Sequence, residues 1–185
     1  EAVRLHTQYK SAAQARERAL YWLEQVHMDS ARLRYDNHPY GLSGGMCQRA
    51  MVAMALAAEP RMLIADEPTT GLDATIQARI VDLLDDLKAR LGMTMVLISH
   101  DIGVISRLSD KIAVMYGGRI MESGPARNVL DDSAEGHPYT RALLASTPSE
   151  KNIKADGRLP AIEGEVLDTI NVPRGCRFCT RCQRI

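Results

Sequence analysis

The sequence predicts an α/β fold organised around a parallel sheet, and three observations support this prediction. First, short apolar runs that are too brief for helices alternate with helix-forming segments, as in strand–helix–strand units. Second, two of these runs, RMLIAD and MTMVLIS, end at polar residues, as strands do at the functional edge of a parallel sheet. Third, 185 residues with 45% hydrophobic content suffice for one cored domain, alone or with an appendage.

Composition and charge argue against several classes of protein. The 23 Lys and Arg residues balance the 23 Asp and Glu residues, and no basic cluster provides a footprint for nucleic acid. The longest apolar run, Met51 to Ala58, is short of the roughly 18–20 residues that cross a bilayer, so we expect no membrane span. The chain begins at Glu1 without a charged-then-apolar leader, so we expect no signal peptide and an excised boundary at this end.

The first predicted helix runs from Ser11 to about Met28, where alanines and branched apolar residues recur at helical spacing. Ser11 and Gln14 form a capping-box pattern that fixes its start. The polar stretch from Asp29 to Tyr40 contains turn-forming residues and is predicted to be a loop.

A second helix is predicted from Ser43 to the Glu59-Pro60 pair, since a residue before proline avoids the helical region. This helix is apolar on most sides, so we expect it to be buried. The next run, RMLIAD, predicts a buried parallel strand that ends at two acids, Asp66 and Glu67.

A long helix is predicted after Asp73, which can cap it, and Gly92 closes it. Its apolar stripe is expected to be core and not a dimer seam, and consists of Ile76, Ile80, Leu83, Leu84, Leu87 and Leu91. The strand MTMVLIS follows and ends at Ser99-His100.

The remaining segments predict a short helix from Asp101 to about Leu108, then strand KIAVMY and a hairpin through Gly117-Gly118 into RIMESG. Two amphipathic helices follow, in PARNVLDD and HPYTRALLAST, and Pro138 suits the first turn of the second. The polar segment SEKNIKADGR predicts a linker, and residues 159–185 are rich in turns.

Three motifs carry candidate chemistry, and each also has a purely structural interpretation. Ser43-Gly44-Gly45 at a helix start exposes backbone N–H groups to an anion, but it also suits an ordinary N-cap. Asp66 and Glu67 at a strand tip suit Mg²⁺ and proton transfer from a water, but acids also cap solvated strand ends. His100 would lie beside these acids at the end of the adjacent strand, although a single histidine is usually only solvated or hydrogen-bonded.

Together these segments resemble the distal part of the nucleotide-binding domain of ATP-binding-cassette (ABC) proteins, which are P-loop NTPases. LSGGMCQR resembles the signature motif, MLIADEPTTGLD the Walker B motif and D-loop, and VLISHD the H-switch. VMYGGRIMESGP and HPYTRALLAS resemble the sheet and tail of the oligopeptide, dipeptide and nickel importer subfamily, and CRFCTRC resembles its C-terminal extension. The resemblance implies a distal nucleotide-binding portion over residues 1–147, with a helical signature region and a parallel-sheet core. A linker over 148–158 and a cysteine-containing extension over 159–185 complete the predicted organisation.

The resemblance implies a head-to-tail pair of nucleotide-binding subunits, each ATP being sandwiched between one subunit's phosphate-binding loop and the other's signature. Ser43, Gly44 and Gly45 would then bind the γ-phosphate of the partner's ATP, with Gln48 nearby. These roles come from the family and agree with the anion-binding chemistry of a helix start.

The same resemblance implies that Asp66 supports Mg²⁺ and that Glu67 polarises the attacking water. It also implies that His100 contacts the γ-phosphate and that Asp73 signals across the dimer through the D-loop. The family's phosphate-binding loop needs Gly-Lys-Ser or Gly-Lys-Thr, and no lysine in this sequence follows a glycine. The family's Q-loop is not evident either, so we expect the chain to be the carboxyl-terminal portion of a longer subunit and inactive alone.

Cys176, Cys179 and Cys182 have the C-x2-C-x2-C spacing of ferredoxin-type iron–sulfur ligation, and three thiolates with a further ligand could equally hold zinc. Unliganded thiols are the default interpretation and a bound metal is the alternative, and the subfamily resemblance makes Cys179 an additional residue. Cys47 is expected to be packed or partly exposed, with no ligand role.

The function that this resemblance implies is ATP hydrolysis that powers a peptide or nickel importer at the cytoplasmic face of the inner membrane. The partners would be a second nucleotide-binding subunit, integral permease subunits and, indirectly, an extracytoplasmic binding protein, with no nucleic acid. Two alternatives remain at this point: a soluble ABC-type ATPase of DNA repair or translation, and a non-enzymatic truncated or metal-binding module.

Overall fold

A computed structural model describes residues 1–9, 11–131, 135–148, 152–153, 158–168 and 170–183. The chain divides into two compact units, Glu1–His100 and Asp101–Ile185. This division lies upstream of the boundaries predicted at 147/148 and 158/159, which stay predictions. The segment predicted as a linker falls mostly outside the described residues.

The first unit contains helices, two strands and one short 3-10 helix, Pro39–Gly41. Its elements are α1 (Ala2–His6), α2 (Ala12–Gln25), α3 (Ala31–Arg34), α4 (Gly44–Leu56), β1 (Met62–Asp66), α5 (Ala74–Leu91) and β2 (Thr94–Ile98). Helices α2, α4 and α5 pack in sequence, α2 on α4 and α4 on α5. They bury a core that consists of Leu20, Trp22, Val26, Val52, Leu56, Ile80, Leu84 and Leu87.

Local sequence signals determine where these helices begin and end. The Ser11 hydroxyl accepts a hydrogen bond from the backbone N–H of Gln14 (3.2 Å) at the start of α2, as its capping pattern predicts. Asp73 accepts from the backbone N–H of Ile76 (3.0 Å) at the start of α5. Gly92 ends α5 in the left-handed region (φ 58°), a conformation that costs glycine little.

Two predictions for the helical part of this unit need correction. The stretch 29–40 is not all loop, because it contains α3 and the beginning of the 3-10 helix. Helix α4 is only partly buried, since Met51 and Met54 are about half exposed. Its buried residues are Gly45, Val52, Ala53 and Leu56, and its other apolar side chains are at least partly exposed.

The predicted parallel pairing is confirmed, with β1 beside β2 and Asp66 opposite Ile98. The prediction that β1 is buried is wrong, because Leu63 is buried whereas Met62 and Ile64 are exposed. Alternate residues of a strand point to opposite faces, so this alternation means that one face of the two-stranded sheet is covered and the other is open.

The second unit begins with the predicted short helix and hairpin. Its elements are α6 (Ile102–Leu108), β3 (Lys111–Tyr116), β4 (Arg119–Pro125), α7 (Ala126–Val129), α8 (Pro138–Ala145) and a 3-10 helix at Cys179–Arg181. Strands β3 and β4 are antiparallel. Gly117 and Gly118 both have positive φ (57° and 77°), which a two-residue hairpin turn of this type requires. Among the described residues, no helix combines the length and hydropathy needed to cross a bilayer.

An aromatic cluster binds the C-terminal segment of the second unit to the hairpin and to α8. Phe178 is only 2% exposed and lies 5.3 Å from Tyr116, 5.2 Å from Tyr139 and 6.2 Å from His137, measured between ring centroids. Hydrogen bonds between side chains and backbone reinforce this packing: the Arg177 side chain donates to the carbonyl of Gly117, and the backbone N–H of Leu167 donates to the hydroxyl of Tyr116 (3.3 Å). Phe178 is thus part of the core of this unit, and the segment around it is held to the hairpin.

The phenol of Tyr139 provides a test of this packing at alkaline pH. Burial, with a smaller effect of Tyr116, raises the pKa of Tyr139, and Arg181 opposes the rise. The folded unit therefore holds the phenolic proton more tightly than the unfolded chain, whose tyrosines titrate near about 10. The stabilisation is fully present below that pH and is lost as pH rises through the raised pKa.

We therefore expect urea unfolding to show lower stability of the second unit at strongly alkaline pH than at pH 8, and Tyr139→Phe to remove part of that loss. The urea concentration at the midpoint of unfolding can be followed by far-ultraviolet circular dichroism, while the emission of Trp22 reports the first unit separately. An equal loss of stability at alkaline pH in the wild type and in Tyr139→Phe would contradict this account.

Candidate functional site

The two parallel strands bring Glu67 and His100 into contact at their carboxyl ends. The backbone N–H of Glu67 donates to the carbonyl of Ile98 (2.8 Å), which extends the sheet pairing by one residue. The Oε1 atom of Glu67 accepts two hydrogen bonds from His100, one from the backbone N–H (3.1 Å) and one involving Nδ1 (2.9 Å). The predicted placement of His100 beside the acids is therefore correct.

The hydrogen bonding defines the protonation states of this pair. The His100 ring, followed by the Thr70 hydroxyl, holds the pKa of Glu67 below its usual value, so the carboxylate is ionised at neutral pH. An ionised carboxylate only accepts hydrogen bonds, so Nδ1 of His100 must carry the proton that it donates. In the neutral imidazole, Nε2 is then the unprotonated nitrogen. The imidazole is 78% exposed and the Glu67 side chain 35%, so both can meet a ligand.

Glu67 is also held from the turn that precedes α5. The hydroxyl of Thr70 donates to Oε2 of Glu67 (2.8 Å), and the backbone N–H of Thr70 donates to the Glu67 carbonyl (3.3 Å). The backbone of Glu67 itself lies in the left-handed region (φ 48°), which a non-glycine residue adopts at a cost of about 1–3 kcal/mol. Such a conformation is typical of residues whose side chains must be aimed at one point.

The glycine pair at the start of α4 packs against the start of α5. Ser43 caps α4, its hydroxyl accepting from the backbone N–H of Met46 (3.3 Å). Gly45 is buried, and a Cβ there would lie 2.7 Å from Cγ2 of Ile76. A Cβ at Gly44 would lie 3.5 Å from Cδ2 of Leu72. Glycine is therefore needed at position 45 for close packing, while Ser43 and Gly44 are exposed at the helix start.

The other predicted site residues occupy separate positions in the first unit. Asp66 is exposed at the end of β1, and Gln48 is half-buried in the second turn of α4. The carboxylate of Asp73 is occupied as the cap of α5. The structure thus brings Glu67, Thr70 and His100 together, and it places the Ser43 turn beside the beginning of α5.

Two family models match this chain. The model for the ABC transporter matches residues 2–70, and the model for the C-terminal region of oligopeptide/dipeptide transporters matches residues 121–185. Over these two regions the chain is similar to ABC transporters. This similarity confirms the resemblance that the sequence motifs indicate.

Relatives of this chain are named for peptide import. A Brucella abortus (strain 2308) protein named as a peptide import ATP-binding protein is 43% identical over 183 residues, which cover 98% of this chain and 53% of the relative. A Sinorhizobium fredii protein named as a peptide ABC transporter ATP-binding protein is 45% identical over 182 residues, which cover 98% of this chain and 53% of the relative. The chain spans about half the length of these curated relatives.

Solved ABC cassettes share the fold of this chain. The dimeric post-hydrolysis cassette MJ0796, bound to ADP and Pi, matches with a TM-score of 0.54 and 35% identity, covering 63% of this chain and 49% of its own. The protein cbiO1 from Clostridium perfringens, part of the ABC transporter complex cbiONQ, matches with a TM-score of 0.59 and 29% identity. The match covers 69% of this chain and 50% of cbiO1. The predicted fold class, a partial α/β cassette of the ABC type, is confirmed.

The His-Pro-Tyr motif of this chain has a structural role, as its sequence predicts. Nδ1 of His137 caps α8 by accepting from the backbone N–H of Tyr139 (3.1 Å), and Pro138 is in the first turn. The backbone N–H of His137 donates to Glu122 Oε2 (3.1 Å). Together with the contacts of Tyr139 and His137 to Phe178, these bonds make the motif an anchor for the C-terminal segment.

The described residues give no support to the metal centre that the cysteine spacing allows. Within the described ranges, no group of three or more His, Cys, Asp or Glu side chains is placed to hold a metal ion. Cys176 is exposed with its Sγ 3.8 Å from Nε2 of His137, whereas Cys179 and Cys182 are half-buried at the 3-10 helix. Phe178, which lies between Cys176 and Cys179 in the sequence, is the buried residue of this stretch. Cys47 is half-buried, and its thiol donates to the carbonyl of Pro39 (3.4 Å).

Sequence reasoning missed two residues that the structure singles out, Thr70 and Phe178. Thr70 lies three residues after Glu67, a spacing at which a turn returns a hydroxyl to the acid. Phe178 is the one phenylalanine in the sequence and lies between Cys176 and Cys179. An aromatic side chain in a turn-rich segment is a signal for a buried anchor.

Proposed function

We propose that this chain is the distal part of an ATP-hydrolysing subunit that powers a peptide importer. The observation that carries the proposal is the Glu67–His100 pair at the ends of two parallel strands, with Nδ1 2.9 Å from Oε1. An ionised carboxylate aimed by a histidine is suited to orient a water for attack on a phosphate. The family-model match and the names of the relatives favour peptide import over nickel import, DNA repair or translation.

The residues of the site suggest a division of labour. Glu67 would accept a proton from the attacking water, and His100, which already donates to Oε1, would face the γ-phosphate. Asp66 is an exposed carboxylate next to this pair, the hard oxygen donor that Mg²⁺ prefers, so the residues fit the metal. When bound, Mg²⁺ would neutralise charge on the phosphates.

The start of α4 would serve a second ATP, held by a partner subunit. Ser43 and Gly44 are exposed at a helix start, where backbone N–H groups attract anions, and Gln48 lies one turn further. Asp73 would contribute to communication across the same interface from the turn before α5. The proposed assembly pairs two such subunits with integral permeases at the cytoplasmic face of the inner membrane and, through them, with an extracytoplasmic binding protein.

The proposal predicts weak nucleotide binding by the 185-residue chain. In this sequence no lysine follows a glycine, so the chain does not supply the phosphate-binding lysine of the family. Each charged hydrogen bond is worth about 1.5–3 kcal/mol. We therefore expect Mg-ATP to bind the 185-residue chain at least about 100-fold more weakly than a version extended upstream through a Gly-Lys-Ser or Gly-Lys-Thr loop.

Titration calorimetry of Mg-ATP on both proteins measures this difference. The control is the extended protein with its loop lysine changed to alanine, which should bind like the short chain. Tight saturable binding by the short chain alone would mean that the start of α4 forms a complete nucleotide site, and the proposed arrangement would be wrong.

A further inference from the structure

The two oxygens of the Glu67 carboxylate have different hydrogen-bond partners. Oε1 accepts from the backbone N–H and from Nδ1 of His100, at 3.1 and 2.9 Å. Oε2 accepts from Thr70 Oγ1 at 2.8 Å. These three donors come from two chain segments, the end of β2 and the turn before α5, so the carboxylate is fixed against rotation about its last bond.

Counting lone pairs distinguishes the two oxygens chemically. Each carboxylate oxygen can accept about two hydrogen bonds. Oε1 already accepts two, whereas Oε2 accepts one among the described residues. The oxygen that retains acceptor capacity for a water is therefore Oε2, and its direction is set by the Thr70 hydroxyl.

We infer that Thr70 is a positioning residue for ATP hydrolysis, which holds Oε2 of Glu67 in the orientation that receives the proton of the attacking water. The inference rests on the proposed role of Glu67 as the base. Thr70 acts through Glu67 and needs no contact with the nucleotide. Its own side chain is exposed, so its replacement should disturb this hydrogen bond more than the packing of the unit.

The test compares Thr70→Ala, Thr70→Val and Thr70→Ser in the complete ATP-hydrolysing subunit. Loss of one hydrogen bond to a charged group should lower kcat for Mg-ATP about tenfold and leave KM within about twofold. Valine keeps the shape of threonine without the hydroxyl, so it should behave like alanine. Serine restores the hydroxyl and should return kcat to within about threefold of wild type.

A double-mutant comparison separates this inference from the proposed function. In a Glu67→Gln background, Thr70→Ala should lower any residual kcat by less than about twofold, because the base that it positions is gone. Wild-type kcat in Thr70→Ala, or failure of serine to rescue while valine does, would overturn the positioning role alone. Near-normal hydrolysis by Glu67→Gln would instead overturn the proposed function on which the role rests.

Discussion

Replacing Glu67 with glutamine is expected to lower kcat for ATP hydrolysis by the complete subunit about 10²–10⁴-fold, the usual contribution of a general base. Mg-ATP binding should persist. Glutamine has nearly the shape of glutamate, and its carbonyl can accept the two hydrogen bonds that His100 donates to Oε1. Its amide can donate to the hydroxyl of Thr70, which then becomes the acceptor. The substitution therefore removes basicity while it retains the hydrogen-bonded geometry.

The measurement is steady-state phosphate release beside nucleotide titration of the same protein. Glu165→Gln is a matched control, because it makes the same chemical change at an exposed position of the second unit. A kcat within about threefold of wild type for Glu67→Gln would exclude this carboxylate as the base. A parallel loss of Mg-ATP affinity would assign Glu67 to nucleotide binding instead.

The features that the sequence predicts well in this chain are those governed by local rules. The caps at Ser11, Ser43 and Asp73 each depend on a side chain that reaches a backbone N–H three residues away. The turn at Gly117-Gly118 depends on the freedom of glycine at positive φ. His100 could be placed beside Glu67 because residues that follow neighbouring parallel strands meet at one edge.

The features that the sequence did not predict depend on contacts between distant segments. Whether the apolar residues of β1 are buried depends on what covers each face of the sheet. The apolar character of Met62 and Ile64 therefore does not predict that both are exposed. The three cysteines suggest a metal by spacing alone, but the fold places an aromatic ring among them in the interior. Spacing specifies which residues can meet and leaves open which of them do.

The second large effect is expected for Phe178→Ala in the C-terminal segment. Truncation of a buried phenylalanine typically costs about 3–5 kcal/mol, from lost burial and the cavity left behind. Phe178 is 2% exposed and contacts the rings of Tyr116 and Tyr139, so the full cost should apply. Because Phe178 links the segment to the hairpin and α8, we expect local release of the segment before global unfolding.

Hydrogen exchange is the measurement of choice, since the backbone N–H of Leu167 donates to Tyr116 and that of Arg181 to the carbonyl of Phe178. Both amides should lose protection in Phe178→Ala. Ile170→Ala is the matched control, because Ile170 is 88% exposed in the same segment, and it should leave protection unchanged. The emission of Trp22, the one tryptophan, should report an intact first unit in both variants. Equal protection in Phe178→Ala and wild type would mean that the guanidinium hydrogen bonds of Arg177 to the Gly117 carbonyl and of Arg181 to the Tyr116 hydroxyl hold the segment without the ring. The anchoring role assigned to the His-Pro-Tyr motif would then be wrong.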